Sequence, residues 1–107
     1  MAFFEIRQYE IRPGKMDSWV KFFDEKILPF QTGKGVIVTG IFRGEEDDSV
    51  FFWIRRFEDE EHRKKLYSAV YDSEEWKRDF APIVGEHINR ETIKCSRVVP
   101  SPMSVMR

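Results

Sequence analysis

Arg7 and Arg55 have the strongest claim to chemistry in this chain. Each sits in a strand-like run among aromatic and apolar neighbours, where a guanidinium is out of place unless something needs its charge. FFEIRQYE puts Glu5, Arg7 and Tyr9 at alternate positions, and side chains two apart along a strand share a face. VFFWIRRF does the same for Phe51, Trp53, Arg55 and Phe57. Arginine keeps its charge, offers a planar fork of donors and stacks on rings. A space enclosed by both faces would be aromatic with a few fixed charges. Such a space suits a small planar ligand that is anionic or carries a carbonyl. Glu5, Arg7, Tyr9, Trp53 and Arg55 are therefore the candidate ligand-binding residues, and no residue stands out as catalytic. The competing reading is an ion pair of Glu5 with Arg7 or Arg55 that closes a subunit interface.

Of the adjacent pair Arg55 and Arg56, alternation sends one inward and one away. The aromatic company at positions 51, 53 and 57 assigns Arg55 to the inside. Arg56 and Arg43 read as strand ends whose long side chains reach solvent. His62 falls in the first turn of a helix, at a surface or boundary position. His87 continues an apolar helical stripe and reads as a packing residue with one hydrogen bond; a haem ligand or a general base are its functional alternatives. The chain has no CxxC, no HxxxH and no paired carboxylates at ligand spacing, so neither a metal nor a cofactor is expected. Gly33-Lys34-Gly35 lacks the glycine spacing and the Ser or Thr of a phosphate loop. Glu45 to Asp48 reads as a solvated turn. Cys95 is the only cysteine. It reads as a buried inert thiol, excludes an intrachain disulfide and fits a reducing compartment.

The elements that must position these residues fit one domain of 107 residues. A net charge of −1, from 18 basic and 19 acidic residues, argues against a nucleic-acid binder. MAFFEIRQYEIR has no long apolar run and no cleavage signal, and no stretch approaches a membrane span. A soluble, cytoplasmic protein is expected. Phe3 to Arg12 alternates as a strand, broken by Pro13-Gly14. Met16, Trp19, Val20, Phe23 and Ile27 recur at helical spacing, with Asp17 in the first turn; Pro29 should end or kink this helix near Leu28. Val36 to Arg43 and Val50 to Phe57 read as a hairpin. DEEHRKK opens a helix with Leu66, Ala69 and Val70 on its apolar stripe. Asp72 and Glu75 resemble a capping box before a further helix carrying Trp76, Phe80, Ile83, Val84 and His87, bent at Pro82. Ile88 to Val99 alternates as a last strand. Pro100 and Pro102 make the tail irregular.

The order β-α-β-β-α-α-β is a ferredoxin-like α+β fold, a four-stranded antiparallel sheet with helices on one face. The helix-free face would carry many large apolar residues, and such a face is rarely left in water. A homodimer packed through that face, a dimeric α+β barrel, is the economical solution. The candidate residues would then line the space between the helix-free surfaces.

Five motifs in order resemble the NIPSNAP family: Glu5-Ile6-Arg7-x-Tyr9 with Pro13-Gly14-Lys15; TGIFRGE, Thr39 to Glu45; Arg56-Phe57-Glu58; DSEEWKRDF, Asp72 to Phe80; and PSPMS, Pro100 to Ser104. The resemblance spans nearly the whole chain and implies a dimeric α+β barrel. It also implies a tryptophan near position 55 and a histidine near 53, where Arg55 and Trp53 stand here. Barrels of this class include cofactor-independent monooxygenases, small isomerases and haem-handling enzymes, which sets an analogy at the level of fold. Two functions follow as expectations. One is a small-molecule binder or cofactor-independent enzyme of oxygenase or isomerase type, using Arg7, Tyr9, Trp53 and Arg55. The other is a dimeric protein-interaction module with a filled interior.

Overall fold

The structure, a computed structural model, describes residues 2–107. Its elements are β1 (Phe3–Glu10), a helix α1 over residues 16–33, β2 (Ile37–Arg43), β3 (Val50–Phe57), α2 (Glu60–Tyr71), a helix α3 over residues 74–87, and β4 (Lys94–Val98). The strands form one antiparallel sheet in the order β2-β3-β1-β4, with β1 and β3 central. The fold is α+β and ferredoxin-like, with the expected order of elements.

Both long helices pass through a proline. The first runs from Met16–Phe22 through a π turn at Phe23–Ile27 into Leu28–Gly33, so Pro29 does not end it. The Leu28 N–H bonds back to the Phe23 carbonyl, and Pro29, with no N–H to give, follows at once. A proline ring clashes with the carbonyl four residues back in a regular α-helix, and the wider turn relieves that clash. The third helix repeats the device. Its π turn at Trp76–Phe80 sends the Ala81 N–H to the Trp76 carbonyl, and Pro82 follows.

The π turns also keep the buried stripes straight. Trp19, Phe23, Ile27 and Gln31 are each four residues apart and all buried. At 3.6 residues per turn such a stripe drifts by about 40° per step; the wide turn takes up the drift. Phe80, Val84 and Ile88 continue the same spacing from the half-buried Trp76.

Several boundaries differ from expectation, each for a local reason. Ile11 leaves β1 to bridge Ile88. The last strand is shorter than Ile88 to Val99, because Asn89 caps a 3-10 turn at Arg90–Thr92 by accepting the Glu91 N–H. The cap of α3 is Ser73, whose hydroxyl accepts the Trp76 N–H at 3.1 Å, whereas Asp72 accepts from Ser68. A bulge between Val38 and Gly40 shifts the β2–β3 register. Asp59 caps α2 by accepting the His62 N–H at 2.8 Å.

The helix-free face is not bare. Residues 99–107 fold across it, and Val99, Pro100 and Met106 share a groove with Phe4, Ile6 and Ile54 of the sheet. The Arg56 Nε–H donates to the Arg107 carbonyl at 2.6 Å, fixing the end of the tail. Phe4 is consequently only 3% exposed, while Phe42 and Ile37, on the β2 side of the same face, stay 49% and 42% exposed. Among the described residues no helix is long and apolar enough to cross a membrane.

Candidate functional site

Alternation places the five candidate side chains on one face of the central strand pair, and the register aligns them. Glu5 lies opposite Arg55, Arg7 opposite Trp53, and Tyr9 opposite Phe51. That face is the one beneath the helices, not the helix-free face between subunits as the sequence suggested. Trp53 packs against Phe23 of α1 with ring centroids 5.0 Å apart, and Arg55 reaches Tyr67 and Tyr71 of α2. Alternation tells which residues share a face; the crossover helices decide which face is covered.

The five residues then divide into two groups. Arg55 and Glu5 form a sealed pair at 2.8 Å, with side chains 1% and 6% exposed. The same guanidinium donates to Tyr67 Oη at 2.8 Å, Tyr71 Oη at 2.9 Å and Gln31 Oε1 at 3.1 Å. Tyr67 donates in turn to Glu5 at 2.6 Å. Burial pushes the Tyr67 phenol well above its usual range, with the Arg55 charge opposing, so it remains a donor to the carboxylate. The guanidinium also lies over the Trp53 and Tyr67 rings, 4.5 Å and 5.0 Å from their centroids. This is the arrangement a buried charge pair requires, with opposite charges in contact and remaining valences bonded. Of the guanidinium's own donors, the Arg55 Nε–H alone lacks an acceptor among the described residues.

Arg7, Tyr9 and Trp53 form the second group. The Arg7 Nε–H donates to Tyr9 Oη at 3.0 Å, and Trp53 Nε1–H donates to the same oxygen at 3.0 Å. Glu5 is committed to Arg55, and Arg7 has no ion-pair partner among the described residues. All three side chains line a cavity of about 320 Å3 between the sheet and the helices. Phe23 and Ile27 from the first π turn and Trp76 from the second form its walls. No carboxylate lines it.

Sequence reasoning missed Tyr67, Tyr71 and Gln31, which hold Arg55. The signal was present: Tyr67 and Tyr71 are four apart on α2, and Gln31 occupies an apolar stripe position on α1, where it is fully buried. Both histidines are held by hydrogen bonds within the fold. His62 Nδ1 accepts the Glu58 N–H at 3.0 Å. His87 makes two hydrogen bonds rather than one, to Ser18 Oγ and to the Ile83 carbonyl, both at 2.8 Å. Cys95 is exposed rather than buried, because β4 is an edge strand. Arg43 reaches Asp17 and Asp48 at the surface. Among the described residues no three His, Cys, Asp or Glu side chains gather to hold a metal ion.

A family model described as NIPSNAP matches residues 4–104. Among solved structures, a NIPSNAP family protein from Agrobacterium tumefaciens is 21% identical, with a TM-score of 0.88 and coverage of 100% of both chains. A NIPSNAP domain protein from Burkholderia xenovorans is 22% identical, with a TM-score of 0.80 over 95% of this chain and 97% of that one. An antibiotic biosynthesis monooxygenase is 19% identical, with a TM-score of 0.65 over 94% of this chain and 99% of that one. At these identities the structural likeness concerns the fold. No curated protein matches the chain.

Proposed function

The chain belongs to the NIPSNAP family, and from that premise we propose that it binds a small, planar, anionic molecule in the cavity beneath its helices. One observation carries this reading: Arg7 presents a guanidinium to an aromatic cavity with no acid beside it among the described residues. A charge so placed costs stability unless an opposite charge reaches it. Here the opposite charge comes with the ligand, and the aromatic walls favour a flat one. The cavity volume lies within the range of small-molecule sites. Arg55 and Glu5 take no part in contacting the ligand; they hold the floor rigid. Chemistry of oxygenase or isomerase type without a resident cofactor suits such a site, with Arg7 stabilising negative charge as it develops on the bound molecule.

Phenylacetate tests the binding. It should quench tryptophan fluorescence saturably, since Trp19, Trp53 and Trp76 line the cavity. Replacing Arg7 with Met should weaken it by about tenfold or more. Unchanged affinity in that variant would remove the reading.

The exposed apolar side of the sheet supports a second proposal, that two copies pack through the helix-free face. Phe42 and Phe52 stack there with centroids 5.0 Å apart, and Phe42 is half exposed. Sedimentation at micromolar concentration should give a homodimer, and Phe42→Glu should give a folded monomer. A wild-type monomer would end the proposal and leave the cavity reading untouched.

A further inference from the structure

The hydrogen bonds around the cavity are lopsided, and the direction of the imbalance specifies the ligand more closely. A phenol oxygen has two lone pairs to accept with and one proton to give. Tyr9 Oη accepts from Arg7 Nε and Trp53 Nε1, both at 3.0 Å. Tyr71 Oη accepts from Arg55 at 2.9 Å and from Gln31 Nε2 at 3.3 Å. Both oxygens have filled their accepting capacity, and neither proton has an acceptor among the described residues. Trp19 Nε1–H is buried and likewise without an acceptor. These three residues and Arg7 all line the same cavity. What the cavity offers a guest is donors.

Several ligand classes fail against that inventory. An amine or an amino acid would bring an ammonium, and no carboxylate lines the cavity to meet it. A phosphate ester would bring a dianion into walls of Trp53, Phe23 and Trp76, where Arg7 meets it from the floor and the second lining guanidinium, Arg90, is turned to the Ala81 carbonyl at the rim. A simple carboxylate that turns both oxygens to the Arg7 fork brings no separate oxygen for the phenol protons. The guest that matches is an aromatic acid with a further acceptor oxygen beside its carboxylate.

We propose that the cavity selects aromatic 2-oxo acids, with the carboxylate on the Arg7 Nη atoms, the ring against the tryptophan walls, and the keto oxygen accepting the Tyr9 O–H. This rests on the anion-binding reading above and adds the second oxygen to it. Tyr9 holds the position because the two donors on its oxygen fix the phenol from both strands, leaving the proton one direction to point. Burial also raises the Tyr9 phenol above its ordinary value, against the pull of Arg7, so the proton is present at neutral pH. A keto oxygen flanked by this O–H and by the Arg7 charge is polarised.

Benzoylformate and phenylacetate share a carbon skeleton and differ by the keto oxygen, so their ratio reads the inference directly. Wild-type protein should bind benzoylformate about tenfold more tightly than phenylacetate by fluorescence titration. Tyr9→Phe should collapse that ratio to about one, over and above whatever both probes lose together when Arg7 loses its Tyr9 acceptor. Equal affinities in the wild type would overturn the inference and leave the anion reading standing. An equal loss of both probes in Tyr9→Phe would also overturn it, since that outcome marks Tyr9 as packing alone. Saturable binding of neither probe would overturn both readings, and binding of both that survives Arg7→Met would overturn the anion reading. Should Tyr9→Phe not fold, the wild-type ratio still decides.

Discussion

Two arginines on one sheet face should respond very unequally to the same substitution. Arg55→Met removes a guanidinium that is 1% exposed and leaves Glu5 behind in the same enclosure. The stranded carboxylate keeps only Tyr67 as a donor, and Gln31 Oε1 loses the Arg55 N–H it accepts. Breaking a buried pair from one side costs about 3–5 kcal/mol. For a domain of this size each kcal/mol moves the midpoint by about 4 °C, so Tm should fall by roughly 12–20 °C. Arg7→Met strands no acid. It gives up one hydrogen bond to Tyr9, worth about 1 kcal/mol, and it also ends the desolvation of an unpaired charge. The two nearly offset, so the apo protein should keep its stability within about 1 kcal/mol. Urea denaturation of the wild type and both variants, with thermal melts alongside, measures the contrast. Glu5→Leu combined with Arg55→Met should recover most of the loss, because the pair then leaves together. An Arg7→Met variant as unstable as Arg55→Met would mean that Arg7 has a carboxylate partner in solution, and the division of the site would collapse.

Trp19 is 1% exposed and Trp76 is half-buried at the cavity. Trp19→Ala should therefore cost about 3–5 kcal/mol, with Trp76→Ala costing distinctly less and acting mainly on ligand affinity; equal costs in denaturant would contradict this. Hydrogen bonds from Arg63 and Arg97 hold the Glu60 carboxyl down at about 2. A carboxyl depressed in the folded state stabilises fully above its unfolded value and loses that contribution as pH falls through about 2. Carbon NMR titration should find it there, and Arg97→Ala should raise it; a normal value in the wild type would remove the bridge between α2 and β4.

The sheet was legible because strand periodicity is short and unforgiving. Parity alone grouped Glu5, Arg7 and Tyr9 with Trp53 and Arg55, and the register later aligned them. The covered face was not legible, since Phe4, Ile6, Phe52 and Ile54 make the opposite side as apolar as the helix side. The partition of charges was out of reach for a related reason. Whether Glu5 serves Arg7 or Arg55 depends on which side chain lies directly across, and the sequence carries no register. Weighed one residue at a time, Pro29 reads as ending or kinking the helix near Leu28. The strict spacing of four from Trp19 to Gln31, and again from Trp76 to Ile88, shows a helix arranged to pass through it.

The paired wide turns also constrain how the chain can change length. Each holds one residue more than a regular turn would, and everything downstream takes its rotational phase from that surplus. Deleting a residue such as Glu25 would restore an ordinary turn and rotate the rest of α1 by about 100°. Gln31 would swing out of reach of Arg55, and the Pro29 ring would be driven into the helix. A surface position with a solvent-exposed side chain thus tolerates substitution and rejects deletion. Relatives that keep the Arg55 enclosure should show gaps in their loops and none inside these two helices.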